Sequence, residues 1–326
     1  MNRWSIRILL IGTALLLFPT PSPAPLIYRP GEGFTYEAPG AKGNWTKEKA
    51  KDQLDVAQQA FDAKDYSLAL KAAVRTVRVW PLSDYAPQAQ YLMGRCYEAK
   101  HMDERAFDAY QRVLTTYPKS ANYQEVQLRQ FEIAKRFLAG QWFKAFGYIP
   151  LYKSMSKTAD LLEKVVKNGP YSDVGPQAQL AIGAAREKSS DYPAAVKAYA
   201  KAADRYREQR TIAADALYRQ ATSYYKEAKT ADYDQNIASK AVDTFTDFMK
   251  LYEDDPRVPE AKKTIAALVT EQARGNYRIA EYYEQNKSLD GALIYYNAVL
   301  SGDPGGPLAD PARQRIDTLK KRIASK

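Results

Sequence analysis

The sequence predicts an all-α fold: a superhelix of about six antiparallel helical hairpins, closed by a C-terminal capping helix. Three observations predict it. Residues 81–94 (PLSDYAPQAQYLMG) and 170–183 (PYSDVGPQAQLAIG) are identical at eight of fourteen positions and lie 89 residues apart. Small residues recur at a fixed interval: Gly94, Ala106 and Pro118; Ala57, Ala69 and Pro81; Ala280, Ala292 and Pro304, each step being twelve residues. No stretch alternates apolar and polar residues for long, as a half-buried strand would.

A small residue, a second twelve on and a proline twenty-four on is the tetratricopeptide pattern, with a period of about 34 residues. Two helices approach closely only where neither carries bulk, and the small residues mark those places. Tyr91, Met93, Tyr97 and Tyr110 fill between them in one repeat; Leu180, Ile182, Tyr192 and Tyr199 do so in another. The shared Ser-Asp is read as a helix start. With Asp84 or Asp173 as N-cap, Pro87 and Pro176 fall in the first turn, where the missing amide has no intrahelical partner. Pro81 and Pro170 end the preceding helices.

In chain order, residues 1–24 come first. Arg3 and Arg7 give a basic start, Ile8 to Phe18 an apolar run, and Pro19 to Ala24 a small-residue exit. That is the layout of a secretory signal peptide, too short to cross a bilayer as a stable helix. Whether it is cut or stays as an anchor is open. Residues 25–46, with Pro30, Gly31, Gly33, Pro39, Gly40 and Gly43, read as an extended arm. The hairpins are expected at about 47–80, 84–117, 122–168, 173–207, 211–252 and 259–301. A last helix at about 308–324 carries a basic face (Arg313, Arg315, Lys320, Lys321, Arg322), as solenoid caps do. The third hairpin carries an insertion, GQWFKAFGYIPLYKS (140–154), and the fifth an expected loop, TADYDQN (230–236).

The chain of 326 residues carries 25 tyrosines and a formal charge of +10. Tyrosine suits half-buried positions, its ring packed and its hydroxyl wet. With the leader's two arginines set aside, 46 basic residues face 38 acidic ones. An exported protein rarely meets nucleic acid, so the excess points to an acidic partner, anionic lipid or wall polymer, or to a merely solvated surface. The single cysteine, Cys96, excludes an intramolecular disulfide and reads as a small buried thiol. No cysteine lies near the leader, which excludes lipid attachment there by the bacterial lipoprotein route.

Catalytic and metal motifs find little support. One histidine, His101, in a turn, makes a zinc site implausible. Ser154-Met-Ser-Lys157 matches S-x-x-K but lacks its partner motif K-T-G, so Ser154 is read as a helix start. Asp232, Asp234 and Asn236 lack the glycine and glutamate of a calcium loop. The expectation is no enzyme, no metal and no cofactor. The site that remains is a surface. First-helix residues three before and one after the small position are expected to line a groove, above all Tyr91, Arg95, Phe131 and Lys135. Rings beside cations suit an extended peptide with an aromatic side chain and a carboxylate.

The joints WPLSDYAPQAQYLMGRCYE (80–98) and GPYSDVGPQAQLAIG (169–183) resemble those of exported bacterial tetratricopeptide proteins, in particular the BamD-like outer-membrane protein assembly factors. KRFLAGQWFKAFGYIP (135–150) and KTADLLEKVVKNGPYSD (157–173) resemble the lengthened third repeat of that family. The likeness covers about 47–255; residues 256–326 extend beyond it. It implies a non-catalytic scaffold in the periplasm at the outer membrane; the chain is expected to be monomeric by itself, and either anchored through its leader helix or a soluble periplasmic relative. Its partners would be assembly subunits and unfolded outer-membrane protein segments. Trp142, Phe143 and Phe146 in the third-repeat insertion are expected to be a partner contact. The family carries a lipid anchor on an N-terminal cysteine, which is missing here. The alternative is a periplasmic adaptor coordinating cell-wall synthesis or division.

Overall fold

The structure, a computed structural model, describes residues 26–29, 33–36, 45–120, 122–145, 149–230 and 235–324. The leader, most of the arm and Asp232 and Asp234 therefore lie outside the described residues. Thirteen helices are present among those described, in six antiparallel hairpins and a final helix. They are α1 (Ala50–Asp62) with α2 (Tyr66–Val79), α3 (Ala86–Ala99) with α4 (Asp103–Thr116), and α5 (Tyr123–Leu138) with α6 (Met155–Asn168). Then come α7 (Gly175–Lys188) with α8 (Tyr192–Arg205), α9 (Arg210–Thr230) with α10 (Gln235–Leu251), α11 (Val258–Gln285) with α12 (Leu289–Gly302), and α13 (Ala309–Ala324). The chain divides into two units, residues 1–122 and 123–326. The all-α fold expected from the repeat is present, with two small exceptions. In the arm, β1 (Leu26–Arg29) pairs antiparallel with β2 (Gly33–Tyr36). In the third-hairpin insertion, β3 (Phe143–Ala145) pairs antiparallel with β4 (Ile149–Tyr152).

Close helix approach is built on the small residues. Ala57, Ala69, Ala106, Ala134, Ala159, Ala195, Ala221, Ala241, Ala280 and Ala292 are all fully buried. In the second hairpin Gly94 lies under the ring of Tyr110: a Cβ there would sit 2.2 Å from Tyr110 Cε1. In the fourth, a Cβ on Gly183 would sit 2.4 Å from Tyr199 Cε1. Each ring is then fixed at its far end. The Tyr110 hydroxyl donates to Glu98 at 2.7 Å, that of Tyr199 to Glu187 at 2.8 Å, and that of Tyr296, in the sixth hairpin, to Glu284 at 3.0 Å. These phenols are not wet as expected; burial pushes those of Tyr199 and Tyr296 up first, and the neighbouring carboxylates add to it.

The turns within hairpins repeat one backbone solution. Lys64, His101, Ser190 and Lys287 all have positive φ, near +60°. Each donates its amide three residues back, and the next residue donates five back, as in Ser190 to Glu187 and Asp191 to Arg186. That is a left-handed helix stop held by non-glycine residues. Asp65 and Asp191 then cap the second helix by accepting from the amides of Leu68 and Ala194.

The joints between hairpins correct the sequence reading. Asp84 and Asp173 cap nothing; the N-cap positions are Tyr85 and Val174, with no side-chain bond. The chain makes two successive backbone turns instead. Ser83 N–H donates to Trp80 and Ala86 N–H to Ser83; Ser172 donates to Gly169 and Gly175 to Ser172. The serine hydroxyls donate to the Trp80 and Gly169 carbonyls, tightening the first turn. The 252–258 and 303–309 joints repeat the backbone pattern with Asp255 and Gly306 at the serine position. Pro87 and Pro176 do fall in the first helical turn. Ser154, by contrast, is an N-cap, accepting from Lys157 N–H at 3.1 Å.

Tyrosine hydroxyls also close the hairpins at their bases. Tyr117 donates to the Pro81 carbonyl, and 89 residues on, Tyr206 donates to that of Pro170. Tyr123 donates to the Asn168 carbonyl across the base of the third hairpin. At the C-terminal end α13 buries Ala312, Ile316 and Leu319 against Ala273, Ala280, Tyr296 and Val299. Its Arg315 and Arg322 reach Glu284 at 3.7 and 3.5 Å.

Adding a methyl under either ring forces the tyrosine out of its socket. Gly94→Ala and Gly183→Ala should each lower unfolding free energy by about 1–3 kcal/mol, the usual cost of overpacking. Urea denaturation followed by circular dichroism measures it.

Candidate functional site

The groove residues fall in separate units. Tyr91 and Arg95 lie on α3. Arg95 Nη1 donates to the Tyr91 hydroxyl at 3.2 Å, and its guanidinium stands 5.2 Å over the Phe61 ring and 5.9 Å over that of Tyr91. Tyr91 packs in turn on Tyr110, centroids 6.0 Å apart. The pair is therefore half-buried, a cation laid over two rings with one edge open. Phe131 and Lys135 lie on α5. Phe131 is buried, which corrects its assignment as a groove-lining ring: it faces the core because Ala134, one turn on, does. Lys135 is exposed and bonded to Glu132 at 2.9 Å.

Beside them Cys96 is fully buried, and burial pushes its thiol up to about 12 against a weaker pull from Lys100 and Arg95. At neutral pH it holds its proton and is no nucleophile. His101 sits in the left-handed turn position. Among the described residues no three His, Cys, Asp or Glu side chains converge as a metal centre requires.

The third-hairpin insertion is the most distinctive surface. Phe143 is buried, and this corrects its assignment as a partner contact. Its ring stacks on Phe137 of α5, centroids 4.1 Å apart and nearly parallel, and on Tyr152 at 5.9 Å. Lys157 Nζ stands 4.3 Å from the other side of the Phe143 ring. Phe143 is the anchor that ties the strand pair to the helix. Trp142 is presented, 48% exposed, with Lys153 Nζ 5.8 Å from its ring. Phe146 lies outside the described residues. All of β4 is exposed. Ile149, Leu151 and Tyr152 are 57%, 54% and 47% exposed, and sequence reasoning missed them as site residues. Four apolar side chains left in water on one short hairpin mark an interaction surface more than a core. Among the described residues the strand pair has only two members, an arrangement to which a further strand can add. The signal was present in the sequence as YIPLY between Gly147 and Lys153, too short a run to show a period of two.

Segments 88–120 and 215–255 match one tetratricopeptide repeat family model, and 252–307 match another. The chain thus carries tetratricopeptide repeats in an all-α fold, and such repeats imply a protein–protein interaction scaffold. No curated protein sequence matches the chain. Among solved structures it is similar to the C-terminal part of a TPR repeat-containing protein from Cytophaga hutchinsonii, at 15% identity over 83% of this chain and 89% of that one, TM-score 0.35. It is also similar to YrrB, described as a TPR protein with an unusual peptide-binding site, at 15% over 69% and 96%, TM-score 0.33. PilW, a type IV pilus biogenesis factor, aligns at 12% over 82% and 99%, TM-score 0.28.

Two measurements check the site's construction. Phe143→Ala should strip hydrogen-exchange protection from 143–152 while leaving α5 and α6 protected, since only the anchor is lost. Cys96 should stay inert to a thiol reagent at pH 8 in the native protein and react as one equivalent in urea.

Proposed function

We propose that the protein is a non-catalytic adaptor of the cell envelope that holds extended segments of outer-membrane β-barrel proteins during their assembly, in the periplasm at the outer membrane. The observation that carries this reading is the set of exposed side chains on β4, Ile149 and Leu151 on one face and Tyr152 on the other, with Trp142 exposed as well. Barrel strands alternate apolar and polar side chains and have both edges unpaired until they insert. A two-membered strand pair with apolar side chains in water suits such a client: main-chain bonds give affinity and alternate side chains give selection. Lys153, 5.8 Å from the Trp142 ring, favours a segment ending in a carboxylate. The leader-like residues 1–24 and the resemblance of the joints and of the lengthened third repeat support the same setting. Assembly subunits would be the other partners, met through the remaining helical faces.

The test is binding of a peptide copying a C-terminal barrel strand, aromatic at its last residue, by fluorescence anisotropy. The double variant Ile149→Ser/Leu151→Ser should weaken capture by about tenfold or more, as loss of central apolar contacts does. Unchanged capture removes the insertion from the function. Pull-down from an envelope extract that returns peptidoglycan synthases in place of barrel-assembly subunits would assign the protein to cell-wall coordination.

A further inference from the structure

We propose that the fourth hairpin carries a second binding site, a basic groove that takes an acidic segment of a partner protein. The groove has a volume of 660 Å³ and lies over α7 between α6 and α8. Its floor is apolar, made by Val166, Ile182 and Ala198; its walls carry Lys167, Lys197, Lys201, Arg186 and Arg205 against one carboxylate, Glu163. Beyond one end stand Tyr171, 81% exposed, and Asp204.

The arginines are engaged. Arg186 pairs with Glu163 at 3.2 Å and Asp160 at 3.6 Å, and Arg205 stands against the Tyr206 hydroxyl. Lys167, Lys197 and Lys201 are exposed and make no ion pair among the described residues. Lys197 and Lys201 are one helical turn apart on α8, and Lys167 is on α6. Three point charges spread along an apolar trough match carboxylates spread along a chain.

Gln179 identifies the ligand more closely. It is 2% exposed at the floor; its Nε2 donates to the Ala198 carbonyl at 3.1 Å, which fixes the amide's orientation. Its Oε1 is left buried with no hydrogen-bond partner. A buried acceptor left unmatched is costly, and what satisfies it is a donor. A peptide N–H is a donor; a phosphodiester or a carboxylate supplies none. A polypeptide with acidic side chains matches the lysines and brings N–H donors to the floor that Gln179 helps to line. A flat lipid surface would not reach the floor.

The fold does not force these charges. The corresponding positions 89 residues earlier keep Arg78 and Arg112 where the groove has Lys167 and Lys201, but have Asp108 for Lys197, Tyr97 for Arg186 and Thr116 for Arg205. The same backbone is therefore built with two of the five basic positions kept and three replaced.

The test uses the full chain and a fluorescein-labelled peptide of about twelve residues rich in Glu and Leu, with a Lys/Leu peptide of the same pattern as control. Anisotropy should show the acidic peptide bound and the basic one not. Lys197→Glu/Lys201→Glu, two exposed and unpaired positions, should weaken the acidic peptide about tenfold or more and admit the basic one. Ile149→Ser/Leu151→Ser should leave this binding unchanged, which separates the groove from the β4 surface. No binding by the wild type, or equal binding by the charge-reversed variant, overturns the proposal. So does equal retention of phosphatidylglycerol vesicles or single-stranded DNA with loss on the same reversal, which would make the face a general polyanion surface.

Discussion

The contact that everything else depends on is a tyrosine ring laid directly on a glycine. At Gly94 and Tyr110, and again at Gly183 and Tyr199, the second helix of a hairpin reaches the backbone of the first because nothing projects between them. Dispersion falls off steeply with distance, so a ring against backbone gains contacts that a ring against a branched side chain loses. The hydroxyl then meets the penultimate residue of the first helix, a glutamate, which sets the tyrosine's reach and with it the separation of the two helices. The sixth hairpin keeps the hydroxyl–glutamate bond and replaces the glycine by Ala280. Small at one end and anchored at the other is the rule; glycine is its tightest form.

Hairpins built this way leave the chain free at two kinds of place. The in-hairpin turns are fixed by backbone geometry so uniform that lysine, histidine and serine all occupy the left-handed position. Surfaces between the fixed points can then differ from hairpin to hairpin. The third spends this freedom on a strand pair pinned by Phe143, and the fourth on a row of lysines over an apolar floor. Function of this kind lies in what is hung on a repeat, and the repeat itself carries none of the specificity.

Much of this was legible in the sequence, and the rest was not for identifiable reasons. Small residues at twelve-residue steps announce the hairpins because steric exclusion depends on residue type alone. Asp84 and Asp173 misled because aspartate before a helix normally caps it; here two backbone turns already occupy the local donors. Phe131 and Phe143 misled because an aromatic's direction depends on what stands across from it, which spacing does not report. The insertion's β-pairing was hidden in runs of three and four residues. The tyrosine hydroxyls could have been found: Tyr117 and Tyr206 keep the same offset as the two joints, and an equal interval between two prolines and two tyrosines implies paired contacts.

Those basal tyrosine bonds have a consequence for how the chain changes over time. Tyr206 and the Pro170 carbonyl join the two ends of one hairpin to each other, and Tyr117 with Pro81 does the same for another. A segment whose termini already meet can be copied, lengthened in its middle or transplanted without asking its neighbours to hold it shut. The third hairpin, which accommodates a strand pair between helices still joined at the base by Tyr123 and Asn168, is what such self-closure permits.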